Sequence, residues 1–240
     1  MLLYVIRHAD PIYDPDSLTE KGKRQAEALG RRLAVHGLDK IYCSPMKRAQ
    51  MTAQPACELM GLKPEILEFV SEELVGYYFG YNDPERDGRW TWSFGIDPTR
   101  YKNEQSVLMG DKWYEAYPFC HTKAKEGYER MMKSSDEFME TLGYKREGLK
   151  YKILRPNNND RVAVFCHYGA GTTWLSHLLG IDPITFWSNF TINHSGVTII
   201  YFPEYKEGNG YTIPRVLALS DVSHFYGDRL PMKFTNEIDI

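Results

Sequence analysis

Leu2-Leu3-Tyr4-Val5-Ile6-Arg7-His8 begins this chain with a continuous β-prone apolar run that ends in an arginine and a histidine. A run without polar alternation predicts a strand covered on both faces, as in the sheets of α/β proteins. Asp10, Pro11 and Pro15 break it at once, so strand gives way to loop. Thr19 can then cap a helix running to about Val35, with Ala26, Leu29 and Leu33 at three- and four-residue steps and Gly37 as its stop. Lys40 to Cys43 reads as a second short strand. Ser44-Pro45 leads into a helix with a small-residue face of Ala49, Thr52, Ala53 and Ala56, ended by Gly61. Strand, helix, strand, helix predicts a parallel sheet.

Farther along, Val162-Ala163-Val164-Phe165-Cys166 repeats the opening pattern and delivers His167 at its end, before a helix from Ala170 to Leu179 closed by Gly180. Val197 to Phe202 and Thr212 to Leu219 read as two late strands separated by a Gly208-Asn209-Gly210 turn. Thr122 to Leu142 reads as a helix with Tyr128, Met131, Phe138 and Met139 near one face, and Lys145 to Asp160 as a polar loop. From about 77 to 122, glycines, prolines and charges mix with many aromatic residues, without a sustained period. That stretch reads as an inserted cap. The expected architecture is a single α/β domain over residues 1–240, a three-layer α/β/α sandwich with a mostly parallel central sheet.

At 240 residues the chain can bury a core of its own, and 42% hydrophobic with 25% charged residues fits a globular protein. A net charge of −3 gives no general attraction to nucleic acid or to anionic lipid, so neither is an expected partner, and a bound phosphate has to meet a local cluster of cations. Cys43, Cys57, Cys120 and Cys166 form no CxxC pair, which argues against a disulfide framework or a zinc site. The run from Met1 to Ile6 is too short for a signal-peptide core and no later segment has the length of a membrane span, so the cytoplasm is the expected address.

His8 and His167 each stand where an apolar strand ends, and in open α/β sheets ligands bind in the crevice outside the carboxyl ends of the strands. Arg7 precedes one of them. Arg48 falls in the first turns of a helix whose free N–H groups favour an anion. A guanidinium fork matches phosphate oxygens and keeps its charge when desolvated, so Arg7 and Arg48 suit a phosphoryl group. His36, His121 and His177 have ordinary packing explanations. His194 and His224, in loops near predicted strands, are placed where they can line the pocket.

These residues together resemble the histidine phosphatase superfamily, which includes the cofactor-dependent phosphoglycerate mutases. Val5-Ile6-Arg7-His8-Ala9-Asp10 looks like its strand-end Arg-His-Gly-Glu signature, and Leu18-Thr19-Glu20-Lys21-Gly22 with Gln25-Ala26 resembles its first helix opening. Ser44-Pro45-Met46-Lys47-Arg48-Ala49 with Thr52-Ala53, and Phe165-Cys166-His167-Tyr168-Gly169, resemble its two later motifs. The likeness covers roughly the first 80 residues and Val162 to Phe202.

The resemblance implies that His8 attacks phosphorus and becomes a phosphohistidine, while Arg7, Arg48 and His167 surround the phosphoryl oxygens. It implies no metal and no cofactor. A Glu preceding Gly at four and eight residues selects Glu72, before Gly76 and Gly80, as proton donor to the leaving group; Glu73 and Asp10 remain open for that role. The expected activity is a metal-independent phosphomonoesterase of the histidine acid phosphatase type acting on a small phosphorylated metabolite. The alternatives are a phosphoglycerate mutase-type enzyme and a non-catalytic phosphate-ester-binding protein. Asp14 stands where many members place a phosphate-donating Asn, and an ionised carboxylate there would repel the ligand. The oligomeric state is not legible.

Overall fold

The computed structural model describes residues 1–103, 109–207 and 209–232. The opening run forms β1 (Leu2–Arg7), followed by α1 (Glu20–Ala34), β2 (Lys40–Cys43), α2 (Lys47–Met60) and the short β3 (Glu65–Ile66). After α3 (Glu72–Phe79) and the aromatic-rich stretch come α4 (Ala124–Thr141), β4 (Arg161–Cys166), α5 (Tyr168–Leu179) and α6 (Pro183–Asn189). The chain closes the sheet with β5 (Val197–Tyr201) and β6 (Arg215–Asp221). The sheet order is β6-β5-β1-β4-β2-β3. β1, β4, β2 and β3 run parallel, and β5 runs antiparallel to both β1 and β6.

Alternation along the strands builds the three layers. Leu3, Val5, Val162, Val164 and Cys166 pack with Phe138 and Met139 of α4 and Trp174 and Leu175 of α5 on one face. Ile6, Ile41, Cys43, Ala163 and Phe165 pack with Leu29 and Leu33 of α1 and the alanines of α2 on the other. Helices α2 and α5 end at Gly61 and Gly180, as the sequence predicts. No helix among the described residues is long and apolar enough to cross a membrane.

Three expectations are corrected. The stretch read as a loop, Lys145 to Asp160, contains strands Tyr144–Glu147 and Lys150–Ile153, joined by Tyr211–Thr212 into a small antiparallel sheet. Its inward anchors, Tyr144 and Tyr151, pack on Phe202 with ring centroids 4.8 and 5.6 Å apart, a contact across fifty residues that local polarity hides. Thr212 therefore lies outside the last strand of the main sheet, because Pro214 cannot donate to a ladder and separates the two. Gly208, of the expected turn, lies outside the described residues. The supposed cap is more regular than expected: Tyr77 to Phe79 belong to α3, and Gly80–Asp83 pairs with Arg89–Trp92 in a hairpin.

Candidate active site

Adjacent parallel strands bring β1, β4 and β2 to one edge, and the residue after each reaches the same place. His8 N–H donates to the Cys166 carbonyl at 2.9 Å, and Ser44 N–H donates to the Phe165 carbonyl at 2.9 Å. The rings of His8 and His167 lie 5.1 Å apart between centroids.

A carbonyl partner fixes the tautomer of His8. His8 Nδ1 donates to the Ala9 carbonyl at 2.7 Å, which leaves Nε2 with a free lone pair. Ser44 Oγ accepts from Met46 N–H at 3.3 Å and lies 2.7 Å from His167 Nε2. When the Ser44 hydroxyl donates to Nε2, the proton of His167 sits on Nδ1, a buried atom without a partner among the described residues. Burial pushes His8 well below the ordinary imidazole range, reinforced by His167 and Arg7. Burial does the same to His167, reinforced by Arg48 and Arg7. Both rings are neutral.

Each arginine is aimed by fixed partners. Arg7 donates to the Ile192 carbonyl at 2.8 Å and to His194 Nε2 at 2.8 Å. His194 therefore carries its proton on Nδ1, 3.7 Å from Asp10, and its ring lies 5.4 Å from that of His8. Arg48 donates to Asp16 Oδ1 at 2.8 Å, while Asp16 Oδ2 accepts from Lys47 N–H at 2.7 Å. α2 has no side-chain cap of its own, and Asp16, from the loop between β1 and α1, supplies one. The Nε atoms of both arginines are buried without a protein partner among the described residues. Asp14 is exposed and does not line the site, so Asp16 is the loop carboxylate that matters here.

Glu72 opens α3 and reaches α5: its two oxygens accept from Gly169 N–H and Ala170 N–H, both at 2.9 Å. Burial raises its carboxyl above the ordinary value, and those two bonds only partly offset the rise. Glu73 is exposed. Asp10 is bound by Lys21 at 2.9 Å and Thr19 at 2.7 Å, which hold it below the ordinary value against the upward push of burial. Of the three acids left open by the sequence, Glu72 is the one on the same cavity as His8.

The remaining motif residues brace the loop after His8. Thr19 caps α1, its Oγ accepting from Gly22 N–H at 3.0 Å, and Gln25 Oε1 accepts from Asp10 N–H at 2.9 Å. Thr52 Oγ accepts from Ala9 N–H at 2.9 Å and donates to the Arg48 carbonyl at 2.7 Å, tying the His8 loop to the helix that carries Arg48.

A cavity of about 360 Å³ is lined by Arg7, His8, Arg48 and Glu72 together with Tyr13, Trp90, Trp92 and Tyr168. His167 is fully buried against His8 and is not part of the cavity lining. A larger cavity, about 530 Å³, lies by α4 and α5, where His177 and Arg146 are both bound to Asp136. The aromatic residues of the middle segment divide between two tasks. Trp113 packs edge-on and Phe119 packs tilted against Trp187 of α6 in a core, at centroid distances of 5.1 and 5.2 Å, whereas Trp90 and Trp92 face the site. Among the described residues no group of three or more His, Cys, Asp or Glu is arranged to hold a metal.

Sequence reasoning missed Asp16 and Ser44 as parts of the site, and placed His194 near the pocket without its bond to Arg7. Ser44 lay inside a quoted motif. His194 and Asp16 sit in loops whose spacing carries no period, and only the fold brings them to the arginines.

The family model of the histidine phosphatase superfamily (branch 1) matches residues 3–116. Phosphoserine phosphatase 1 of Hydrogenobacter thermophilus is 25% identical over 213 residues, covering 84% of this chain and 87% of that protein. Among solved structures, phosphoserine phosphatase of Entamoeba histolytica in complex with 3-phosphoglyceric acid superposes with a TM-score of 0.58 at 18% identity, covering 93% of this chain and 98% of that one. Mycobacterial glucosyl-3-phosphoglycerate phosphatase gives 0.60 at 15% identity, covering 91% and 98%.

Proposed function

The chain is a phosphatase of the histidine phosphatase superfamily, and from that premise we propose that it hydrolyses a small-molecule phosphomonoester through a phosphohistidine on His8. The observation that carries this reading is the His8 ring. Its Nδ1 proton is committed to the Ala9 carbonyl and burial disfavours a second proton, so Nε2 offers a lone pair on the site cavity.

In the first step Nε2 bonds to phosphorus as the bond from phosphorus to the ester oxygen breaks. Glu72, whose protonated form burial favours, gives its proton to the departing oxygen and the alcohol leaves. In the second step the Glu72 carboxylate takes a proton from water, the water oxygen bonds to phosphorus, and the bond to Nε2 breaks. Inorganic phosphate and neutral His8 are regenerated. Arg7, Arg48 and the Nδ1 proton of His167 take the phosphoryl oxygens, stabilising charge that shifts as phosphorus changes partners. Their aim is set in advance by Ile192, His194, Asp16 and Ser44, so little reorganisation is needed during reaction.

The test is a rapid quench into alkaline detergent with a substrate labelled on phosphorus. An acid-labile, base-stable label on the wild-type chain, lost in His8→Ala, supports the reading. Turnover that persists in His8→Ala contradicts it. Incubation with 3-phosphoglycerate and catalytic 2,3-bisphosphoglycerate addresses the mutase alternative: phosphate release favours a hydrolase, and isomerisation without release overturns it.

A further inference from the structure

Trp90 and Trp92 are two residues apart on the strand Arg89–Trp92, so both indoles leave it on one face, while Thr91 between them turns the other way and is buried. That face is a wall of the site cavity, shared with Tyr13 and Tyr168. Each indole is seated against a glycine. A Cβ on Gly80 would lie 2.7 Å from Trp90 Cζ2, and one on Gly169 would lie 2.9 Å from Trp92 Cζ2. The other two rings are held by the clamps themselves, with the Arg7 guanidinium 5.1 Å from the Tyr168 centroid and that of Arg48 5.4 Å from Tyr13.

The charges make the complementary point. Among the described residues lining this cavity the charged side chains are Arg7, Arg48 and Glu72, and all three are taken by the phosphoryl transfer. Nothing cationic remains to pair with a carboxylate on the leaving group, and a carboxylate desolvated without a partner is costly. A flat ring between indole and tyrosine faces meets no such penalty. A cavity of about 360 Å³ holds a phosphoryl group and a ring of that kind.

Resting on the hydrolase reading above, we propose that this site selects phosphomonoesters whose alcohol carries an aromatic ring, with Trp90 and Trp92 as the residues that choose the ring over a carboxylated side chain. The test compares benzyl phosphate with O-phosphoserine, read as His8-dependent phosphate release. Both depart as primary alcohols that take a proton from Glu72, which matches the chemistry of the leaving group and isolates its recognition. The expected kcat/KM ratio favours benzyl phosphate by about 30-fold or more. Trp90→Ala, at a residue 63% exposed, narrows that ratio by about tenfold, and Trp90→Phe restores most of it. A wild-type ratio at or below one, or a ratio unmoved by Trp90→Ala, overturns the proposal while leaving the phosphatase reading intact. Failure of both esters to be hydrolysed in a His8-dependent way overturns both.

Discussion

The two halves of the site are built by different forces. Around the proposed phosphoryl position, each side chain is aimed by a directional bond, His8 by the neighbouring Ala9 and the others by distant parts of the chain: His167 by Ser44, Arg7 by Ile192 and His194, Arg48 by Asp16, Glu72 by Gly169 and Ala170. On the aromatic wall, Trp90 and Trp92 are positioned by surface contact with the glycine backbone. Hydrogen bonds specify angle, which chemistry at phosphorus requires, and van der Waals contact specifies shape, which suffices for choosing a leaving group.

If that division holds, damage to the first half lowers turnover of every ester and damage to the second half reorders esters. The largest effect expected is His8→Ala, a loss of about 10⁴-fold or more in phosphate release for all substrates. Glu72→Gln comes next. It should cost about 10²- to 10³-fold for alkyl phosphates and far less for p-nitrophenyl phosphate, whose leaving group needs no proton. Equal losses on both would remove Glu72 from the proton-transfer step. Gly169→Ala forces a methyl against Val75 Cγ1 at 2.7 Å and the Trp92 ring, so thermal melting should report about 2 kcal/mol of destabilisation, with the selectivity ratio disturbed as well.

Acid should act on the directional half. His194 has a folded value of about 4 against an ordinary 6.5, with burial and Arg7 as the causes. A histidine depressed on folding takes up protons more readily when unfolded, so its contribution is intact above about pH 6.5 and is lost as pH falls towards 4. That amounts to roughly 2 kcal/mol between pH 7.5 and pH 5 from His194 alone, in addition to losses of the same sign from His8 and His167. A melting temperature that does not fall over that range would contradict the buried, neutral assignment. Smallest is Asp16→Ala, which unties Arg48 and removes the cap of α2. About tenfold in kcat/KM is expected, mainly through KM, checked by steady-state kinetics across two esters.

The sequence made the chemical half more legible than the selective half. Strand ends announce themselves when an apolar run stops at a charged residue, and Arg7, His8 and His167 were located that way; Arg48 was legible from a helix start. Glu72 needed the spacing to Gly76 and Gly80, and the structure adds the reason: α3 carries it to the amino end of α5. The bonds of Asp16 and His194 were illegible because their partners are brought close only by tertiary folding, across 32 and 187 residues. The hairpin bearing Trp90 and Trp92 was hidden because its strands, Gly80–Asp83 and Arg89–Trp92, are four residues each, too short to show a sustained alternation.

The reversed strand β5 has a consequence for how such a site can change. Among parallel strands only the loop that follows a strand reaches the active edge, but β5 runs the other way, so the loop preceding it arrives there, and Ser195 N–H pins that loop to the carbonyls of Arg7 and His8. His194 rides on this loop. Chain length added before Ile192 is absorbed ahead of the pin and leaves the strand ends that carry His8 and His167 in register. Inheritance can therefore experiment on the flank of Arg7 while His8 stays where it is, a separation of adjustable from fixed parts produced by the polarity of one strand.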